Sequence, residues 1–126
     1  MTTGGFVLDA CALLALLLDE EGDAEDGDPT VVVHKINVLD IYYNILRRFG
    51  TARADETLSA IAALPITFVD TLEPVFKDAG RIKARYRLSL ADSIALAEAK
   101  IRNARLVTSD HHEFEPVEKD AEVSIF

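Results

Sequence analysis

Two aspartates of this chain lie in stretches that are otherwise free of charge. Asp9 is the single charged residue of residues 6–18, and Asp92 is the single charged residue of residues 90–97. An ionised carboxylate among buried apolar groups is costly unless it is paired or binds a cation. Asp92 falls in the first turn of a predicted helix, where the helix dipole favours an anion, so a role at the helix end explains it equally well.

Two further aspartates are candidates by position. Asp40 is the only acid of residues 36–49, and Asp110 follows a predicted strand. Taken alone, Asp40 reads as a solvent-facing residue paired with Asn44 or Arg47, and Asp110 as a turn residue or helix cap. If all four carboxylates converge, however, the pocket requires a counter-cation. Ligands that are all oxygen favour Mg²⁺ or Mn²⁺ over zinc.

Short strands alternate with helices along the chain and would position these aspartates. The pattern predicts strands at residues 6–9, 30–34, 66–69, 105–109 and 122–126, and helices at residues 10–18, 36–49, 55–64, 72–87 and 90–103. Such alternation is typical of an α/β domain with a mainly parallel sheet. Sites in these sheets form at the carboxyl ends of the strands, where Asp9 and Asp110 are expected.

The second predicted helix carries its apolar residues on one face, and Gly50 is expected to end it. The face is formed by Ile36, Leu39, Tyr43, Leu46 and Phe49. Tyr42 and Tyr43 could stack on nucleic-acid bases, but core or dimer contacts are the favoured interpretation.

Length and composition indicate one folded domain over residues 1–126. Hydrophobic residues make up 49% of the chain, and the mean hydropathy is +0.13. The longest uncharged run after Asp9, residues 10–18, falls short of the ~20 residues that a membrane span requires. The single cysteine, Cys11, cannot form an internal disulfide. We therefore expect a cytoplasmic protein without a membrane segment.

The net charge of −9 argues against a generic nucleic-acid-binding protein, which would be basic. The charge is unevenly distributed, because residues 77–105 hold eight basic and three acidic side chains. A solvated helix face is sufficient to explain this segment when it is taken alone.

Four motifs in order along the chain resemble those of PIN domains, and most closely those of VapC-type toxin ribonucleases. They are "VLDACALLALLLDEEG", "VHKINVLDIYYNILRR", "YRLSLADSIALAEAKIRNARLVTSDHHEF" and "VSIF". The resemblance covers nearly the whole chain. It implies a three-layer α/β/α fold with a central, mainly parallel, five-stranded sheet.

The resemblance also implies an activity and a site. Carried over by position, the acids of the pocket are Asp9, Asp40, Asp92 and Asp110, with Thr108 as a polar neighbour. They would bind one or two Mg²⁺ or Mn²⁺ ions and hydrolyse RNA phosphodiesters, with Asp9 and Asp92 as the direct ligands. Basic residues of the 77–105 segment would hold the RNA backbone. The family further implies a homodimer and a cognate antitoxin that blocks the site.

Three features depart from the family pattern. Asp40 stands where the family usually has glutamate, which is one methylene longer, and Cys11 stands where serine or threonine is frequent. The acidic segment of residues 19–30 is short for the helix that the family usually has there. Asp40 and Cys11 support, as an alternative, a catalytically impaired PIN-like module that binds or regulates.

Two other functions fit parts of the sequence. A signalling receiver domain is also acidic and α/β, but Asp9 lacks the acidic neighbour that such domains carry after their first strand. A related nuclease acting on DNA is the remaining alternative. His111 and His112 follow the last acid and are expected in an exposed loop, and the histidines lack zinc-site spacing.

Overall fold

The computed structural model describes residues 5–18, 31–108 and 114, and the statements below concern these residues. Nine elements follow one another along them. They are β1 (Phe6–Leu8), α1 (Ala10–Leu18), β2 (Val31–His34), α2 (Lys35–Phe49), α3 (Thr51–Ala62), β3 (Thr67–Val69), α4 (Glu73–Arg85), α5 (Leu90–Arg102) and β4 (Arg105–Val107).

The strands form one parallel sheet in the order β3-β2-β1-β4. In its register Leu8 lies opposite Val33 on one side and Val107 on the other. The predicted α/β fold with a parallel sheet is therefore confirmed. The sheet has four strands where five were predicted, and the fifth predicted strand, residues 122–126, lies outside the described residues.

The sheet separates two hydrophobic cores, because successive side chains of a strand point to opposite faces. Val7, Val32 and Leu106 belong to the core that α4 and α5 cover. Leu8 and Val33 belong to the other core, which receives side chains from α1, α2 and α3. Helices on both faces of a sheet give the three-layer arrangement that the sequence predicted.

Local signals set several helix ends. Ser89 caps α5 as its side chain accepts a hydrogen bond from the Asp92 N–H, and Asn103 ends α5 in the left-handed conformation at φ 54°. Gly50 separates α2 from α3 at φ 95°, where a side chain would be strained. The third helix begins at Thr51, four residues before the predicted start at Asp55. No helix in the described ranges has both the length and the apolar character needed to cross a membrane.

Candidate functional site

Asp9 lies directly after β1 and is only 1% exposed. Its Oδ1 accepts a hydrogen bond from the Ala12 N–H at 2.8 Å, and its carbonyl oxygen accepts one from the Leu13 N–H at 3.0 Å. Asp9 is therefore the N-cap of α1. This capping role, which the sequence analysis missed, explains in part how the carboxylate is tolerated in an apolar stretch.

Three buried polar residues lie at the carboxyl ends of adjacent strands. Leu8 pairs with Val33 on one side and with Val107 on the other. One residue further along each chain segment, Asp9 therefore lies between His34 and Thr108. All three residues are buried, with exposed fractions of 4% or less. The carboxyl edge of the sheet thus carries a row of a carboxylate, an imidazole and a hydroxyl.

Asp92 lies in the first turn of α5, as predicted, and is partly exposed. Its N–H donates to Ser89 Oγ at 3.0 Å, so the backbone of Asp92 takes part in the cap of α5. The neighbouring Ser93 is fully buried and donates to the Ser89 carbonyl at 2.9 Å. The last residues of α5 lead to the start of β4, which is parallel to β1. The first turn of α5 is therefore at the opposite end, toward the carboxyl ends of the strands, where Asp9 is found.

Asp40 lies in α2 and is also partly exposed. The Asn44 amide donates to the Asp40 carbonyl at 2.8 Å and lies 3.4 Å from Oδ1 of its carboxylate. The pairing of Asp40 with Asn44 is therefore confirmed. Asp40 lines a groove of about 320 Å³ together with Ala10 and Cys11. The groove brings Asp40 to the beginning of α1, next to the residue that follows Asp9.

The described residues do not by themselves form a closed metal centre. Within residues 5–18, 31–108 and 114, no three His, Cys, Asp or Glu side chains are grouped closely enough to hold a metal ion. Asp110 lies outside the described residues, as do His111 and His112. The convergence of all four aspartates therefore stays a prediction.

His34 is a buried residue of this edge that the sequence analysis did not single out. Its Nδ1 accepts a hydrogen bond from the Ile36 N–H at 3.0 Å, which caps α2. Burial lowers the pKa of His34, an effect that the charges of Glu98 and Asp70 partly oppose. Its position at the end of a β-branched strand, directly before a helix, was the available signal.

Two other buried side chains carry polar atoms that have no hydrogen-bond partner among the described residues. Asn37 is fully buried, and neither atom of its amide has such a partner. Glu98 is 2% exposed and pairs with Arg102 through Oε2, while its Oε1 has no partner. Asn37 gave no sequence signal because a single asparagine in an amphipathic helix is unremarkable. Glu98 was visible as an acid near the end of the apolar helix α5.

The basic segment of residues 77–105 is largely engaged within the protein. Arg81 and Lys100 both approach the carboxylate of Asp78, at 3.0 and 4.0 Å. Lys77 pairs with Glu73, and Lys83 donates to the Leu88 carbonyl. The solvated helix face therefore accounts for much of this segment. No ion pair is formed by Arg85 or Arg87 within the described part of the chain.

Comparison with known proteins identifies the fold. The solved structures similar to this chain include DNA-bound VapBC from Salmonella typhimurium, with a TM-score of 0.73, 14% identity and coverage of 97% of this chain and 96% of that chain. VapC20 from Mycobacterium tuberculosis, a Sarcin-Ricin loop cleaving toxin, gives a TM-score of 0.62 and 17% identity, with 82% of this chain and 87% of that chain covered.

A toxin–antitoxin complex from Klebsiella pneumoniae gives a TM-score of 0.59 and 18% identity, covering 87% of this chain and 90% of that chain. A search of curated proteins found no match. The family model of the PIN domain matches residues 6–119. That match covers most of the sequence, including every described strand and helix, and the chain therefore belongs to the PIN domain family.

Proposed function

We propose that this protein is an endoribonuclease that depends on Mg²⁺ or Mn²⁺, the toxin of a toxin–antitoxin pair. It would hydrolyse RNA phosphodiesters at a pocket formed by Asp9, Asp40, Asp92 and Asp110. The observation that carries the proposal is the burial of Asp9 at the carboxyl edge of a PIN-family sheet. Asp92 belongs to the first turn of α5. VapC20, a relative in fold, is a toxin that cleaves the Sarcin-Ricin loop.

The residues at this edge fit a divalent ion in the chemistry of their donors. The side chains at this edge include carboxylates and hydroxyls, which are hard oxygen donors. The imidazole of His34 is already engaged with the Ile36 N–H and Thr71, and Cys11 is exposed. The fully buried amide of Asn37 has no hydrogen-bond partner among the described residues. A bound ion would supply a nucleophile by lowering the pKa of water, and would stabilise the charge that develops on the phosphate.

The chain's own residues would have distinct roles in that reaction. Asp9 and Asp92 would hold the ion. Each takes part in a hydrogen bond at the start of a helix, Asp9 through its carboxylate and Asp92 through its backbone N–H. Asp40 would complete the pocket from α2, where the Asn44 amide lies 3.4 Å from Oδ1 of its carboxylate. Asp110 is assigned by position in the sequence alone. Arg85 and Arg87 precede the first turn of α5 and are the basic residues best placed to contact the RNA backbone.

The proposed partners are a second copy of the chain and a cognate antitoxin. The described surface exposes apolar side chains along α2, at the helical spacing noted in the sequence: Leu39, Tyr43, Leu46 and Phe49. Exposed apolar stripes of this kind mark protein interfaces. Similar structures are toxin–antitoxin complexes, among them the one from Klebsiella pneumoniae. We assign the α2 stripe to the homodimer and leave the antitoxin surface unassigned.

The test is cleavage of a mixed RNA pool by the purified protein during titration with Mn²⁺ or Mg²⁺. The wild type is compared with Asp9→Asn, Asp92→Asn and the control Asp70→Asn. Asp70 also follows a strand, but it is exposed and its carboxylate pairs with Lys35. We expect cleavage that requires the metal, is lost in the first two variants and persists in the third.

The other outcomes separate the alternatives. If the protein binds the metal ion and cuts no RNA, the impaired binding or regulatory module is favoured, with Asp40 and Cys11 as the cause of the lost catalysis. If it cuts single-stranded DNA but not RNA, the substrate class is wrong. If it neither binds the metal nor cuts, the nuclease proposal is wrong.

A further inference from the structure

Asn37 presents a buried polar group for which the described part of the chain provides no partner. The residue is 0% exposed, and within residues 5–18, 31–108 and 114 neither its Nδ2 nor its Oδ1 has a hydrogen bond. Nearly all buried polar atoms in proteins have a partner, and a buried amide with none is costly. A bound ligand that hydrogen-bonds or coordinates the amide would explain why it is buried without a partner.

Asn37 lies in an element that borders the candidate site. It belongs to the first turn of α2, which begins directly after β2, and β2 is the neighbour of β1, the strand that Asp9 follows. On the helix it lies one turn before Asp40 and Ile41 and shares their face. That face lies against the start of α1, because Asp40 and Ile41 line one groove with Ala10 and Cys11.

Within the described ranges, the remaining buried side-chain atom without a partner is Oε1 of Glu98, and it has a simpler explanation. The carboxylate of Glu98 already forms an ion pair through its second oxygen, with Arg102 of the same helix. An ion pair through one oxygen offsets much of the free-energy cost of burying the carboxylate. Asn37 has no such compensation at either atom, so it is the residue that points to a missing ligand.

We propose that Asn37 is a further member of the divalent-cation site, an inference that rests on the proposed function. Its Oδ1 would face the ion, and its Nδ2 would donate to a neighbouring carboxylate of the pocket. An amide oxygen adds a ligand without adding negative charge, which matters where several carboxylates already repel one another. Asp40 is one methylene shorter than glutamate, so its carboxylate reaches less far toward the ion, and the amide oxygen of Asn37 would take the ligand position that this leaves.

The test measures Mn²⁺ binding to the full chain by electron paramagnetic resonance of the free ion, beside thermal unfolding in EDTA. Asn37→Leu keeps the branched shape and removes both polar atoms, and Asn37→Ala removes them without overpacking. Asn37→Asp restores an oxygen donor. Ile41→Val is the control, since it alters a buried apolar residue one turn away on the same helix face.

We expect the dissociation constant for Mn²⁺ to rise roughly tenfold to a hundredfold in Asn37→Leu and Asn37→Ala. In EDTA, Asn37→Leu should unfold at the same temperature as the wild type or higher, because it removes an unsatisfied amide. Asn37→Asp should bind Mn²⁺ within about threefold of the wild type, and Ile41→Val should be unchanged in affinity.

Two results would overturn the inference, and they are distinguishable. If the wild type binds Mn²⁺ and the two apolar variants bind it equally well, Asn37 is a structural residue and the proposed function is unaffected. If the wild type itself binds no Mn²⁺, the proposed function fails and this inference fails with it.

Discussion

The imidazole of His34 joins the start of α2 to the segment after β3, since its Nε2 lies 2.7 Å from Thr71 Oγ1. Its other ring nitrogen accepts the Ile36 N–H, so the neutral ring carries its proton on Nε2 and donates it to Thr71. A protonated ring would lose the capping bond because both nitrogens would then be donors. The fold therefore depends on the neutral form of this side chain.

Stability should accordingly depend on pH through His34. Burial lowers its pKa below the ordinary value of 6.5. Between 6.5 and the lower folded value, the unfolded chain binds a proton that the folded chain does not. The free energy of unfolding should therefore fall as the pH falls through this window, and should not depend on His34 above it.

Urea unfolding from pH 7.5 to pH 5 would measure that slope. His34→Asn is the matched variant, because asparagine accepts a hydrogen bond at an N-cap and does not titrate in this range. The wild type should lose more stability on acidification than the variant. Equal slopes in the two proteins would contradict the prediction. Other titrating groups contribute to both slopes, so subtracting the slope of the variant from that of the wild type leaves the contribution of His34.

Asp9 should separate stability from activity. Asp9→Asn keeps an N-cap for α1, so we expect a small change in the free energy of unfolding. Asp9→Ala removes the cap and should cost about 1 kcal/mol more. Both variants should lose Mn²⁺ binding and RNA cleavage. Chemical unfolding, together with the cleavage assay, checks both statements, and cleavage by Asp9→Asn at the rate of the wild type would contradict the assigned role.

Asp40→Glu should strengthen the site. The substitution adds one methylene, about 1.5 Å of reach, to a carboxylate that lines the groove next to α1. We expect tighter Mn²⁺ binding and faster cleavage than in the wild type, and weaker binding in Asp40→Asn. Calorimetric titration with Mn²⁺ measures the change. Weaker binding by Asp40→Glu would show that the pocket is built around the shorter side chain.

Tyr43→Glu should dissociate the proposed homodimer. Tyr43 is 51% exposed in the middle of the apolar stripe of α2, so a charge there would be buried on association. Light scattering during size exclusion should give about twice the chain mass of 13.8 kDa for the wild type and the single mass for the variant. Ile101→Glu, a charge on an exposed apolar residue of α5, is the control and should remain a dimer. A monomeric wild type would contradict the assignment.

The sequence determined the class of the fold and most of the helix and strand order. Alternating periodicities reflect local backbone geometry and burial, so they predicted the parallel α/β arrangement before any contact was known. Gly50 was identified as the end of α2 for the same reason, since helix capping depends on neighbouring residues alone. The start of α3 was placed too late because residues 51–54 carry little periodic signal.

The aspartates could be selected from the sequence, but their surroundings could not. An acid in an apolar stretch is visible in the sequence, and Asp9 is buried as that pattern suggests. That its carboxylate caps α1, and that His34 and Thr108 flank it, depends on the register of β1 with two strands that are distant in the chain. Register is a property of the assembled sheet.

Only the tertiary structure decided which face of α2 is buried. The apolar stripe of Leu39, Tyr43, Leu46 and Phe49 is exposed, and the fully buried positions of the helix include Asn37 and Ile41. Periodicity fixes the existence of an amphipathic face, because it follows from 3.6 residues per turn. It does not fix whether that face meets the protein's own core or another surface, because that choice is made by the packing of distant elements against both sides of the helix.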